Sequence, residues 1–148
     1  MLSEEEQEEN RSKIKAEVEH LIHDGTRSQA QGNKIITTMT CAPNITQVAY
    51  MACYEAKNLI RIDLPEGITI IGRSSFNGCS SLKEIKFPKS LTSIGKYSFT
   101  VCSSLEEVDL LHTNVLELGE SAFQYCTSLR EMKVPDSLQT LGRKVFCT

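Results

Sequence analysis

The feature that most constrains this chain is a repeat with a nearly constant period. After residue 44, segments of similar sequence begin at positions 45, 68, 91, 115 and 138, separated by 23, 23, 24 and 23 residues. A unit this short cannot bury its own apolar side chains, so neighbouring units must stack and share one core. The period therefore predicts a solenoid.

The spacing inside one unit predicts how each turn of the solenoid is built. Leu82, Ile85 and Phe87 are spaced as L-x-x-I-x-F near the end of their unit, and the last two alternate with Glu84 and Lys86, as in a short strand with one buried face. Gly95 permits a tight turn in the next unit, and Phe99 begins a short helical turn. These patterns favour an α/β repeat fold with one short parallel strand per turn. Half a unit of the same pattern precedes residue 45.

The first 34 residues match no repeat and differ from the rest in charge. They hold eight acidic and five basic residues, whereas residues 35–148 hold eleven of each, so the net charge of −3 comes from this segment. Ser3 and Glu6 form a capping box, which predicts a helix that starts there and ends near Asp24. Residues 26–34 are typical of a polar linker. The chain is thus predicted to divide into an acidic helix with its linker, residues 1–34, and a solenoid of about 4.5 units, residues 35–148.

Apolar residues recur along the predicted helix at i, i+4, i+7 and i+8, which makes it amphipathic with one narrow apolar stripe. The stripe either covers the first turn of the solenoid or docks on another protein. Its members are Ile14, Val18, Leu21 and Ile22. The neighbouring His20 and His23 are interpreted as part of a solvated helix face rather than as metal ligands.

The repeated residues resemble the BspA-type leucine-rich repeat. The segment ITIIGRSSFNGCSSLKEIKFPKS, which begins at Ile68, follows the pattern L-x-x-I-G-x-x-[SA]-F-x-x-C-x-S-L-x-x-I-x-[FLV]-P in almost every column. Two later units follow it with small departures, and the resemblance extends over residues 36–148. It implies a curved leucine-rich repeat solenoid that serves as a binding or adhesion surface and not as an enzyme.

Cysteines are the residues most open to a chemical interpretation. Cys79, Cys102 and Cys126 occupy one column, which is compatible with a metal or redox site or with a ladder of buried thiols. No C-x-x-C pair accompanies them, which favours the ladder. Cys41 and Cys53 align with apolar core columns. The chain also lacks phosphate-loop, nucleophile-elbow and zinc-protease motifs, so we expect no catalysis, no cofactor and no metal.

The exposed face of the parallel sheet is the first candidate for a partner surface. One column, Asp63, Lys86, Asp109 and Lys133, alternates in sign and is predicted to hold the stack in register. The next column carries three adjacent carboxylates, which favours a basic partner, with a merely solvated face as the alternative. The candidate residues are Arg61, Glu84, Glu107, Glu131, Lys83, Glu106 and Arg130.

Apolar residues outside the core columns are the second candidate surface. They are Val101, Leu111, Leu116 and Tyr125. If these side chains are contiguous, such a patch marks an interface. The last unit stops before its strand, so we expect its open end to be covered by a partner chain, by self-association or by further sequence.

These features predict a non-catalytic protein–protein interaction or scaffold module within a larger assembly. The alternative is a cell-surface adhesin of BspA-like type, which a glycan on Asn44 of the Asn-Ile-Thr sequence would support. The repeats show no basic stripe for nucleic acid and no apolar run that could span a membrane. The start of the chain lacks a signal-peptide pattern, so we expect an intracellular, cytoplasmic protein, or a cell-surface one if the amino terminus is processed.

Overall fold

The computed structural model describes residues 2–148, except for the side chains of residues 14–18. One helix, α1, spans Glu4–Glu19. The strands that follow are β1 (His20–His23), β2 (Thr38–Cys41), β3 (Gln47–Val48), β4 (Arg61–Asp63), β5 (Ile70–Ile71), β6 (Glu84–Lys86), β7 (Ser93–Ile94), β8 (Glu107–Asp109), β9 (Glu117–Leu118), β10 (Glu131–Lys133) and β11 (Thr140–Leu141).

The strands form two walls of a solenoid. One wall, the concave sheet, contains β1, β2, β4 and β6 in that order, followed by the pair β8 and β10. The other wall, the second sheet, contains β3, β5, β7, β9 and β11. Every strand pairing is parallel, and Arg61 lies beside Glu84 as the 23-residue period requires. The predicted leucine-rich repeat solenoid with an N-terminal helix is therefore confirmed.

The core is built from columns of side chains that occupy the same repeat position in successive turns. Phe76, Phe99 and Phe123 stack with ring centroids 5.3 and 5.2 Å apart, and each is at most 1% exposed. Phe87 and Phe99 form an edge-to-face pair, with ring centroids 5.9 Å apart. These rings fill the space between the two walls, so each turn completes the core of its neighbours.

A glycine column brings the turns close together where the second sheet ends. A Cβ atom on Gly72 would lie 2.5 Å from the carbonyl oxygen of Val48 in the preceding turn. Backbone cannot move aside as a flexible side chain can, so this column excludes larger residues wherever the preceding turn supplies that backbone. Ala49 occupies the same column one unit earlier and is buried.

The helix ends five residues before the predicted position, and this changes the account of the N-terminal segment. Residues His20–His23 form β1, which pairs with Thr38–Cys41 of β2 along its whole length. Backbone pairing at the end of the concave sheet outweighs the helical spacing of the apolar residues, because an unpaired sheet edge has open hydrogen-bonding groups. The predicted helical stripe is therefore wrong at Leu21 and Ile22, which lie on a strand.

Residues 28–32 belong to a turn of the solenoid, although the sequence predicted a linker there. The N–H groups of Ser28, Ala30 and Gly32 donate to the carbonyls of Tyr50, Ala52 and Tyr54, at 2.6 to 3.0 Å. The same ladder joins each later pair of turns. We therefore call residues 22–44 the first coil. The division at residue 34 stays a prediction about independent folding units, and these bonds cross from the first coil to the second.

The first coil has no strand in the second sheet, and a histidine side chain supplies the hydrogen-bond acceptor that such a strand would provide. In later turns, the N–H of the glycine column donates to a carbonyl of the preceding turn, as Gly95 does to Ile71 at 2.8 Å. The equivalent N–H of Ala49 donates instead to Nε2 of His23, at 3.0 Å. Nδ1 of His23 then donates to Oε1 of Gln29, at 2.6 Å. His23 is fully buried and therefore not part of a solvated helix face.

Candidate interaction surface

The seven charged residues predicted for the concave sheet all lie exposed on it or at its border. Strand register brings Arg61 beside Glu84, and Glu107 beside Glu131. Lys83, Glu106 and Arg130 immediately precede the strands, where the N–H of Arg130 donates to the carbonyl of Glu106 at 2.9 Å. The structure thus places these side chains on one continuous face.

The carboxylates of the later turns are paired within the face. Nζ of Lys133 lies 2.9 Å from Glu107 and 3.4 Å from Glu131. The hydrogen bond to Glu107, and then that to Glu131, raise the pKa of Lys133 above its ordinary value. Arg130 pairs with Glu106 in the same way. The later half of the face carries four carboxylates, Glu106, Glu107, Asp109 and Glu131, against these two bases. It therefore stays negative, but less strongly than the residue column alone indicates.

The alternating column behaves differently from the prediction. Asp109 and Lys133 lie side by side in register, but the ammonium group of Lys133 pairs with the glutamates of the adjacent column. Asp63 pairs with Arg61 of its own strand at 3.1 Å. Backbone hydrogen bonds, rather than ion pairs along this column, therefore set the register.

Two adjoining grooves cross the N-terminal half of this face. The rim groove, of about 520 Å³, is lined by Glu19, Lys34, Ile35, Thr37, Asn58, Ile60, Ser81, Lys83 and Ser104. The central groove, of about 440 Å³, is lined by Ile60, Arg61, Lys83, Glu84, Glu106 and Glu107. Both share Ile60 and Lys83, so together they form one path across several turns.

The rim groove combines apolar surface with cations. Ile35 is 55% exposed and Ile60 is 45% exposed, which is unusual for isoleucine in a well-packed repeat. In the part of the chain that the structure describes, Lys34 and Lys83 form no ion pair. This groove can therefore accept an apolar side chain flanked by negative charge.

The predicted apolar patch is exposed but lies on different parts of the turns. Val101 and Tyr125 occupy equivalent left-handed positions after the phenylalanine column, with φ of 60° and 59°. Leu111 lies in the loop after β8, and Leu116 lies immediately before β9. All four are 42 to 51% exposed. Their role as an interface stays a prediction.

The N-terminal docking stripe is only partly described. Leu21 packs against the edge of the core, whereas Ile22, the next residue on β1, is 57% exposed. The side chains of Ile14 and Val18 lie outside the described residues. Its two described members point to opposite faces of a strand, so they cannot form one helical docking surface.

The cysteines of the repeats are buried thiols. Cys79, Cys102 and Cys126 each lie 3.2 Å from a backbone carbonyl of the preceding turn. Burial raises the pKa of Cys41 to about 11 and that of Cys53 and Cys126 to about 12. Among the residues that the structure describes, no group of three or more His, Cys, Asp or Glu side chains could hold a metal ion. No described helix is long and apolar enough to cross a membrane.

Sequence reasoning missed the residues that give the rim groove its shape. Lys34 fell in the predicted linker, Ile35 was assigned to the solenoid without a role, and Asn58, Ser81 and Ser104 were not among the candidate residues. The signal of the last three is positional, because they occupy one column of the repeat, three residues before the first residue of a strand. Extending the alignment back to Ile22 would have added Ile35 to that column.

Stacked parallel strands, short outer turns and a shared core of leucine, isoleucine and phenylalanine columns define a leucine-rich repeat solenoid. The sequence profile of the BspA type leucine rich repeat region matches residues 32–148, with six copies. The chain belongs to this family, as its repeat pattern predicted.

Solved structures of bacterial proteins share the fold. A leucine-rich repeat protein from Bacteroides ovatus superposes with a TM-score of 0.77 and is 29% identical, over 87% of this chain and 34% of its own. A leucine rich cell surface protein from Faecalibacterium prausnitzii gives a TM-score of 0.68 at 24% identity, over 86% and 34%. The T. pallidum leucine rich repeat protein gives 0.66 at 23% identity, over 81% and 66%. This chain spans about a third of the first two proteins. No significant match is found among curated proteins.

Proposed function

We propose that this chain is a non-catalytic interaction module that binds protein partners through the concave sheet. The observation that carries the proposal is the path formed by the rim groove and the central groove across consecutive turns. The path is open, several turns long and bordered by exposed charged residues. A surface of this shape suits an extended protein segment better than a small substrate.

Rigidity supports the same function. The backbone ladder fixes successive strands about 5 Å apart, so the side chains of the face are held in place before a partner arrives. A preformed surface loses little conformational entropy on binding, which favours affinity. The ion pairs of Lys133 and Arg130 hold the later half of the face in a defined charge pattern.

Selective photo-crosslinking tests this function. Benzoylphenylalanine replaces Glu84 on the concave sheet in one protein and, as a matched control, Glu117 on the outer side of the second sheet in another; both glutamates are exposed. In extracts of the source cells we expect covalent adducts with other proteins from position 84 and not from position 117. Equal labelling from both positions would contradict the proposal.

Adhesion at a cell surface is the second candidate function. The side chain of Asn44 is exposed in the Asn-Ile-Thr sequence, which makes it accessible to a glycosyltransferase in a secreted chain. Mass spectrometry of the protein from its native source distinguishes the two settings. A glycan on Asn44 favours the surface, and an unmodified Asn44 favours the intracellular module.

A further inference from the structure

The cations of the rim groove are not neutralised by the rest of the solenoid. Lys34 and Lys83 lie on a wall that also exposes Ile35 and Ile60. The other polar groups of the lining are the neutral hydroxyl or amide groups of Thr37, Asn58, Ser81 and Ser104 and one carboxylate, that of Glu19 at the end of α1, so the two lysines leave the groove with an excess of positive charge. The groove therefore favours an occupant with an apolar side chain next to carboxylates.

The chain itself carries a segment with this chemistry at the start of α1. Leu2 is 53% exposed and is followed, after the cap residue Ser3, by Glu4 and Glu5. Glu6 is engaged by Ser3, and the later Glu8 and Glu9 pair with bases one turn on. Within the described residues, Glu4 and Glu5 form no ion pair. The start of the helix thus offers two unpaired carboxylates and one leucine. The rim groove offers two unpaired ammonium groups and two exposed isoleucines, which are complementary in charge and polarity.

The first turns of α1 are also without tertiary cover. Residues 2–13 are exposed all round the helix. A 16-residue helix is only marginally stable in water on its own, and helices in proteins gain most of their stability from packing. A partner for this part of α1 would therefore stabilise it.

The helix cannot deliver its own first turn to its own groove. It ends at Glu19, which lines the rim groove, and 16 residues of α-helix extend about 24 Å. The segment 2–5 therefore lies roughly 20 Å from the groove beside which the helix ends. Only another molecule can place that segment there.

We propose that two copies of this chain associate by inserting residues 2–5 of each into the rim groove of the other. This deepens the proposed function, because it assigns an occupant to part of the same surface. The exchange is reciprocal, because each helix begins in the rim groove of the partner copy and ends beside the rim groove of its own copy. It closes a two-fold dimer instead of an open filament.

A charge-swap experiment on the full chain tests the dimer. Sedimentation velocity of the unmodified protein at about 0.05 M salt should give a dimer, and raising the salt to about 0.5 M should raise the dissociation constant at least tenfold. The groove variant Lys34→Glu/Lys83→Glu and the helix variant Glu4→Lys/Glu5→Lys should each be monomeric. Their equimolar mixture should restore the dimer, because each groove then meets a helix of opposite charge.

A matched control separates this effect from a general change of charge. Lys89→Glu/Arg143→Glu alters two exposed bases outside the grooves by the same total charge and should remain dimeric. Circular dichroism establishes that all variants are folded. A monomeric unmodified protein, or a mixture that stays monomeric, would overturn the proposal. Neither result affects the test of the proposed function, which depends on adducts with other proteins at position 84.

Discussion

The first coil, residues 22–44, and the central coils, residues 68–137, solve the same structural problem with different groups. In the central coils, the N–H of each glycine-column residue donates to a backbone carbonyl of the previous turn. In the first coil, the ring of His23 accepts that bond from Ala49. Regular turns are therefore interchangeable, whereas the first coil depends on one particular side chain.

The same difference explains an exception in the repeat. Ala49 stands where later turns have glycine, and the turn before it has no strand in the second sheet. A Cβ atom meets backbone at 2.4 to 2.8 Å in the later turns. The missing strand leaves room for the methyl group. Glycine is thus required by the neighbouring turn and not by the repeat pattern itself.

Alkaline pH should give the largest effect and should act more through the central coils, which hold three buried thiols, than through the first coil, which holds one. Burial raises the pKa of the Cys79 and Cys102 thiols well above the ordinary value of 9.0, and that of Cys41 to about 11. Above about pH 9 the unfolded chain releases these protons and the folded chain keeps them, so stability falls as pH rises. For each thiol this slope is about 0.7 kcal/mol per pH unit at pH 9 and approaches about 1.4 kcal/mol per pH unit at higher pH.

Urea unfolding between about pH 8 and pH 10 measures this slope. Cys102→Ala should reduce the pH dependence of the free energy of unfolding by the contribution of one thiol. Cys147→Ser, at an exposed position, should leave it unchanged. A pH-independent stability of the unmodified protein up to about pH 10 would show that the thiols do not control it.

Phe99→Ala should give the next largest effect, a loss of about 3–5 kcal/mol in the free energy of unfolding. Its ring contacts Phe76, Phe87 and Phe123, so truncation leaves a cavity between three turns. Chemical denaturation measures the loss. Phe146→Ala is the control, because that ring is 47% exposed and its truncation should cost under about 1 kcal/mol. Similar losses for both variants would mean that the stack is not the centre of the core.

Gly119→Ala should destabilise the protein by about 3 kcal/mol, since overpacking against rigid backbone is costly. The added Cβ atom would lie 2.4 Å from the backbone nitrogen of Lys96. Ala49→Gly, the opposite change in the coil that follows the first one, should cost only about 1 kcal/mol through backbone entropy. Thermal unfolding of both variants compares them. An equal loss of stability in both variants would contradict the conclusion that the missing strand leaves room for the methyl group of Ala49.

His23→Leu should cost about 2 kcal/mol, because the buried N–H of Ala49 loses its acceptor. The effect should be local. Amide hydrogen exchange is expected to accelerate at Ala49 and to stay slow at Gly95, whose acceptor is the carbonyl of Ile71. Uniform acceleration at both amides would instead indicate global destabilisation.

The sequence was most informative where one position recurs in every turn. The columns of Phe99, Cys102 and Ile85 predicted the buried faces, because each turn repeats the same environment. The first coil escaped prediction because the apolar spacing through Leu21 fits a helix until β1 pairs with β2. The ion pairs of Lys133 were also hidden, since a long side chain can reach the adjacent column. Long-range pairing and side-chain reach are not encoded in local spacing.

The hydrogen bond between His23 and Ala49 limits the places at which the solenoid can gain turns by repeat duplication. A turn copied from the central coils brings its own carbonyl acceptor and its own glycine, so it can be inserted between regular neighbours without new side-chain contacts. A regular turn placed before Ala49 would displace the His23 ring and meet the alanine Cβ atom with its backbone. Growth of the array by duplication is therefore compatible with the central coils and incompatible with the boundary between the first two.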